Sequence, residues 1–275
     1  PALLSPTTWA WLDRLGNAAA DLLFPPHCVV CHRYGSWFCP DCQAQIKAIQ
    51  PPLCLRCGLP IEGSLPSQSA GASALAGCHT RHLNGGRWIC RPCRAAPPLL
   101  DGVRAFAFLD GPLRTAVLEF KYNGLRRLAT ILGDLMGQGW DELAPDGERI
   151  DAIVPVPLHP ARHRERGFNQ AALLARELAA CLHCPAEEHV LIRSRPTTPQ
   201  VGLDPAERRA NVRGAFRCAD ESLSGSCVLL VDDVYTTGST LEAACTALFG
   251  TGVRSVWAYT LARAGPHLAA SRLSM

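Results

Sequence analysis

The residues best equipped for chemistry lie close together in the last quarter of the chain. Asp232 and Asp233 are followed at once by Val234 and Tyr235, then by the hydroxyls of Thr236, Thr237, Ser239 and Thr240, with Gly238 among them. Two carboxylates can accept hydrogen bonds from a vicinal diol while sharing a divalent cation, as a ribose with a nearby diphosphate requires. A hydroxyl-rich turn with a glycine lets backbone N–H groups approach an anion closely. These are the groups that bind a phosphorylated sugar. The run Val228–Val231 ahead of them is short, apolar and β-branched, so it reads as a buried strand of a parallel sheet. Leu241, Ala244, Cys245, Leu248 and Phe249 recur at helical spacing behind them. The acids and hydroxyls are therefore expected in a strand-to-helix turn, where free N–H groups and the positive end of a helix face an anion. No Gly-Lys-Ser/Thr is present, which excludes a Walker A nucleotide loop.

Cysteine supplies the second chemical signal. Of the 14 cysteines, eight form four Cys-x-x-Cys pairs between residues 28 and 93: Cys28/Cys31, Cys39/Cys42, Cys54/Cys57 and Cys90/Cys93. Two residues between ligands let one tight turn present both thiolates to a tetrahedral zinc. Two pairs make a closed site with no position for water, so the zinc is structural. Pairing by proximity gives Cys28, Cys31, Cys39 and Cys42 as one site and Cys54, Cys57, Cys90 and Cys93 as the other; a cross-braced pairing stays open. Ile61–Arg87, rich in Ser, Gly and Ala, reads as a mobile surface insertion in which Cys78, His79 and His82 are alternative ligands. Cys181 and Cys184 sit at helical spacing and are read as thiols of a helix rather than as ligands.

These sites need elements to hold them, and the chain divides accordingly. At 275 residues and 48% hydrophobic content it exceeds one average domain and can bury a sizeable core. The net charge of +3 decides nothing about nucleic acid on its own. No apolar run approaches the ~18–20 residues of a membrane span. Residues 1–26 read as an amphipathic helix without a basic leader, docking on the rest of the protein. Residues 27–97 hold the zinc sites, residues 98–263 an α/β domain with a core of its own, and residues 264–275 a tail. Gly102–Leu109 is expected as a strand, Leu113–Phe120 and Leu125–Met136 as helices broken at Asn123-Gly124, and Ile150–Val154 as the next buried strand. Pro155 and Pro157 should end that strand, leaving Val156, Pro157, Leu158 and His159 as a loop on the same sheet edge as Asp232.

Basic residues cluster beside that loop. Arg162, Arg164 and Arg166 are placed to clamp a diphosphate, since guanidinium forks match phosphate oxygens. A second basic segment, Arg193–Arg213, has three prolines and little apolar periodicity and suits a hood over a phosphorylated ligand. In the zinc module, Arg33, Arg56, Arg81, Arg87, Arg91 and Arg94 are interleaved with Tyr34, Trp37 and Trp88, a pattern suited to single-stranded DNA.

The run from Val228 to Thr240 resembles the 5-phosphoribosyl-1-pyrophosphate (PRPP) motif of type I phosphoribosyltransferases. From Cys28 to about Arg263 the chain resembles the ComF family, phosphoribosyltransferase-like competence proteins with an amino-terminal double zinc ribbon. The likeness rests on the four cysteine pairs, Phe120-Lys-Tyr122, Val154-Pro-Val-Pro157, Arg166-Gly-Phe-Asn-Gln170, Gln200 with Arg208 and Asn211, and Val231–Thr240. It implies a type I parallel sheet flanked by helices, PRPP binding with Mg2+, structural Zn2+, a cytoplasmic location and a role in importing single-stranded DNA with a helicase or channel protein. Asp232 and Asp233 become the ribose-binding acids, while Lys121, Gln200, Arg162, Arg166 and Arg208 join the ligand set. The resemblance names no acceptor, so both a transferase and a non-catalytic PRPP sensor or DNA-binding adaptor remain open.

Overall fold

The computed structural model describes residues 25–61, 81–83, 87–145, 147–196 and 205–265. The expected helix within residues 1–26 and the tail 264–275 lie almost wholly outside them, as do Cys78, His79 and Gln200.

The zinc-binding region contains α1 (Pro40–Gln43), the strand pair β1 (Arg81–Leu83) and β2 (Arg87–Ile89), and α2 (Arg91–Ala95). Part of the expected mobile insertion is thus regular: β1 and β2 run antiparallel with Arg81 opposite Ile89. Then follow β3 (Gly102–Phe108), α3 (Gly111–Tyr122), α4 (Leu128–Leu143), β4 (Ala152–Pro155), α5 (Pro160–Arg166), α6 (Gln170–Leu182), β5 (Leu191–Arg193), α7 (Pro205–Val212), β6 (Phe216–Cys218), β7 (Cys227–Tyr235), α8 (Ser239–Phe249) and β8 (Ser255–Arg263). The central sheet is parallel throughout, in the order β3-β8-β7-β4.

Alternation along β7 sends Leu229 and Val231 into one core and Val228 and Leu230 into the other. The first core contains Leu113, Phe120, Leu132, Met136, Leu174 and Leu178 of α3, α4 and α6. The second is closed by α8 through Leu241, Ala244, Cys245 and Leu248, and by Leu191 and Phe216 of the β5–β6 pair. Both faces are covered, which explains why these strands are apolar without interruption.

Pro155 is the last residue of β4, opposite Val231, so the strand ends at the first proline as expected. Two expectations need correction. β7 does not end at Val231 but runs on through both acids to Tyr235, because β8 continues beside it with Thr260 opposite Asp232 and Arg263 opposite Tyr235. The first cysteine group and the sheet do not have separate cores, whereas Cys54, Cys90 and Cys93 form a small cluster of their own. Cys28, Phe38 and Cys42 belong to the same buried cluster as Phe120, Met136 and Trp257. The segment around residues 47–58 also covers the open edge of β3: Ile49 donates to Phe106, Phe108 to Lys47 and Val103 to Arg56, all through backbone groups. Gly58, at φ +65°, makes that approach possible, since a Cβ there would lie 2.3 Å from the Val103 carbonyl oxygen.

Candidate functional site

The eight cysteines come together in two groups of four, Cys28/Cys31/Cys39/Cys42 and Cys54/Cys57/Cys90/Cys93, with all Sγ atoms in a group within 4.8 Å of one another. Cys31 and Cys39 are 3.6 Å apart, and Cys57 and Cys90 3.7 Å. Zinc–sulfur bonds of ~2.3 Å give a tetrahedron with edges of about 3.8 Å. The backbone N–H groups of Cys39 and Cys90 donate to the sulfurs of Cys28 and Cys54 at 3.4 and 3.3 Å, which favours thiolates there. In the second group Cys54 is driven strongly toward thiolate, chiefly by hydrogen bonding from Cys57, while hydrogen bonding to Cys54 drives Cys93 the other way. Four thiols this close divide into thiolate and donors; a dication lets all four ionise. The donor set fits structural zinc, held without an open position. Cys181 is exposed on α6 and its thiol is shifted upward by burial of its surroundings.

β7 and the start of α8 build the second site. Asp232 lines a crevice with Val234, Tyr235, Thr236, Gly238, Ser239, Thr240 and Leu241. Gly238 is the N-cap of α8 at φ +82°, with no side-chain cap. A Cβ on it would lie 2.9 Å from the Tyr235 hydroxyl, so only glycine lets the turn pass the tyrosine. First-turn N–H groups lack partners within a helix, and the helix dipole adds positive potential, so this end suits an anion. The Thr237 and Ser239 hydroxyls are joined at 2.9 Å.

The two acids differ in surroundings because successive residues of a strand face opposite ways. Asp233 is 8% exposed and its Oδ1 pairs with Lys121 Nζ at 2.8 Å. Asp233 is therefore shielded from solvent and held by Lys121. Asp232 has its carboxyl raised to about 7, first by burial and then by the charge of Asp233, against the opposing pull of Lys121. Its Oδ1 accepts from the Asp233 N–H at 2.8 Å.

The loop after β4 stands beside β7 as expected, but not all of its N–H groups are available. Val156 donates to the Val231 carbonyl at 2.9 Å and Pro157 has no N–H, leaving those of Leu158 and His159. Arg162 and Arg166 are half-buried one turn apart on α5, while Arg164 is exposed on the other side, so the clamp is reduced to two. The run Arg166–Gln170 turns out to position its neighbours. Asn169 caps α6 through Ala171 and donates to the Val156 carbonyl at 3.1 Å. Phe168 packs against Phe120 at 5.6 Å, and Gln170 donates to the carbonyls of Phe120 and Lys121.

The expected hood is partly folded: α7 packs on α8, and Arg195 donates to the carbonyls of Asn211 and Arg213 at 2.9 Å. Arg208 lies half-buried on α7, and Gln200 falls outside the described residues. Sequence reasoning missed Arg193 as an individual. Its guanidinium lies over the Phe216 ring at 5.3 Å, and burial lowers its pKa, with Arg162 and Arg195 acting the same way and Asp232 opposing. Arg193 thus lies within electrostatic reach of Asp232 and of the guanidiniums of Arg162 and Arg195, an arrangement that favours a polyanion. Of the ribbon arginines, Arg33 pairs with Asp41 at 2.5 Å and Arg56 donates to the carbonyls of Leu100 and Asp101, so both are engaged; Arg91 and Arg94 are exposed.

Residues 19–73 match the double zinc ribbon domain model, which ends before Cys90, and residues 165–272 match the phosphoribosyl transferase domain model. The chain is 30% identical over 248 residues to the DNA utilization protein YhgH of Escherichia coli, covering 88% of this chain and 99% of that one. Competence protein F of Haemophilus influenzae is 29% identical over 249 residues, covering 86% and 96%. Competence protein ComFC of Bacillus subtilis is 29% identical over 232 residues, covering 82% and 83%. Among solved structures, glutamine PRPP amidotransferase from Bacillus subtilis is 19% identical, covering 52% of this chain and 30% of that one with a TM-score of 0.36, a slight likeness. A parallel sheet flanked by helices, an amino-terminal pair of four-cysteine clusters and 30% identity across almost the whole of YhgH place the chain in the ComF family of phosphoribosyltransferase-like proteins with a double zinc ribbon.

Proposed function

We propose that this protein binds PRPP with Mg2+ at the β7–α8 crevice and works in DNA uptake in the cytoplasm, where thiolate zinc sites stay reduced. The observation that carries the reading is the juxtaposition of Asp232 and Asp233 with a hydroxyl-lined, glycine-capped helix start. The 5-phosphate would sit at Thr236–Thr240 and the ribose hydroxyls at Asp232 and Asp233. The diphosphate would meet Arg162, Arg166, Arg193 and the Leu158 and His159 amides. Two carboxylates beside a diphosphate also suit Mg2+, which would neutralise charge on the leaving group. Single-stranded DNA and a helicase or channel protein of the uptake machinery are the partners assigned. Among the described residues no helix is long and apolar enough to cross a membrane.

As a transferase, the site would let a nitrogen nucleophile displace pyrophosphate from C1, forming a C–N bond as the C–O bond breaks and the nucleophile sheds a proton. A second reading is a PRPP sensor without turnover, in which Lys121 stays paired with Asp233 Oδ1 and the other carboxylate oxygen accepts from the ribose. Pyrophosphate release from PRPP, measured with a panel of bases and with single-stranded DNA, separates the two. Release that depends on an acceptor supports the transferase, binding without release supports the sensor, and absence of binding overturns both.

A further inference from the structure

Beside the crevice stands an aromatic ring that the PRPP chemistry does not use. Tyr122, the last residue of α3, is 63% exposed, although the residue before it, Lys121, reaches inward to Asp233. The ring is held in place: Gln170, 1% exposed, fixes the backbone at Phe120 and Lys121, and the Arg166 guanidinium lies over the ring 5.3 Å from its centroid. Leu118, 39% exposed, precedes Tyr122 by one turn, and exposed Arg114 precedes Leu118 by another, so the three form one stripe along α3. Arg126 stands next to it, donating to the Gly167 carbonyl and lying over Phe168 at 4.9 Å. Residues 111–127 and 160–166 together carry seven Lys and Arg against two acids, Glu119 and Glu165. Glu119 is engaged by the Asn123 amide at 2.7 Å.

We infer that Tyr122 is a stacking platform for a base of single-stranded nucleic acid, whose phosphates run along Arg114 and Arg126. The site rests on the PRPP reading only for its setting at the mouth of that pocket. Stacking one base on an aromatic ring changes affinity about tenfold, too little to hold a free base on an open surface. A strand adds phosphate contacts, and this face offers cations on both sides of the ring.

The test uses the full chain and a labelled 15-nucleotide oligodeoxythymidine, followed by fluorescence anisotropy, with PRPP·Mg2+ binding measured in parallel by calorimetry. Tyr122→Ala should weaken oligonucleotide binding about tenfold and PRPP affinity much less, and Tyr122→Phe should leave oligonucleotide binding within about twofold. Arg114→Ala should lower the salt-dependence slope by about 0.7. The platform is overturned by unchanged oligonucleotide affinity in Tyr122→Ala, by no oligonucleotide binding to the natural protein, or by equal loss of PRPP and oligonucleotide in Tyr122→Ala. Binding of free adenine that depends on Tyr122, without binding of the oligonucleotide, likewise overturns the strand. Failure of the natural protein to bind PRPP overturns the pocket reading alone, and the oligonucleotide arm then judges the platform independently.

Discussion

Arg263 Nη1 donates to the carbonyl oxygen of Cys57 at 2.5 Å, so the last residue of β8 is tied directly to a cysteine of the second zinc cluster. The same guanidinium lies over the Tyr235 ring at 4.9 Å, and Tyr235 is the ring against which Gly238 turns. Zinc cluster and ligand crevice thus share one buried cation. Arg263→Met would strand the Cys57 carbonyl and remove the stacked cation. The expected cost is about 2–4 kcal/mol in urea unfolding, with a several-fold loss of PRPP affinity. An unchanged midpoint would show that the contact is incidental.

The shared core gives zinc a wider role than a ribbon with its own core would allow. Cys42→Ser should release one zinc per chain, measured by metal analysis. Because Cys28, Phe38 and Cys42 pack in the cluster that holds Phe120 and Met136, it should also lower the melting temperature of the whole chain in one transition. Retention of the sheet's original melting temperature would contradict that coupling.

Asp232 makes binding depend on pH. Its folded pKa of about 7 lies above the ordinary carboxylate value, so the native state keeps a proton that the unfolded chain has lost, and this residue's contribution to stability declines as pH rises from about 4 to 7. In the proposed site PRPP and Mg2+ would need the carboxylate. Their affinity should therefore increase from pH 6 to 8, with a proton released on binding near pH 6.5, measured by calorimetry in buffers of different ionisation enthalpy. Asp232→Asn should abolish the Asp232-linked part of that release; an identical proton count in the variant would assign it to the ligand.

Local chemistry was legible in the sequence because it is contiguous. A phosphate turn needs its acids, hydroxyls and glycine within one strand and one helix start, and a Cys-x-x-Cys pair needs one turn. What escaped were relations made by tertiary packing. Arg193 comes within electrostatic reach of Asp232 through the pairing of β5 with β6, and the sequence marks it only as the first residue of a basic segment. Lys121 meets Asp233 because α3 covers the same sheet face. The strand passes through Asp232 because β8 continues alongside, which no reading of β7 alone could reveal.

Gly238→Ala tests the turn itself. The added Cβ would meet Tyr235 at a φ of +82°, which side chains other than glycine rarely adopt. Stability should fall by about 1–2 kcal/mol and PRPP affinity by at least tenfold. A variant that binds PRPP normally would move the phosphate away from the start of α8.

Asp233→Asn removes the partner of Lys121, and the pair is only partly screened, so a loss of about 1–3 kcal/mol is expected on thermal unfolding, less than the ~3–5 of a fully buried pair. The variant should still fold at 25 °C by circular dichroism. A stability equal to the natural protein's would show that the lysine finds an equivalent partner.

The most direct measurement is calorimetric titration of PRPP into the natural protein and into the folded Asp232→Asn, Asp233→Asn double variant, with Mg2+ and with EDTA. Binding at one site per chain that requires Mg2+ and is lost in the double variant is the predicted result. Equal affinity in both proteins, or no binding to the natural protein, would contradict the assignment of the crevice between β7 and α8 to PRPP.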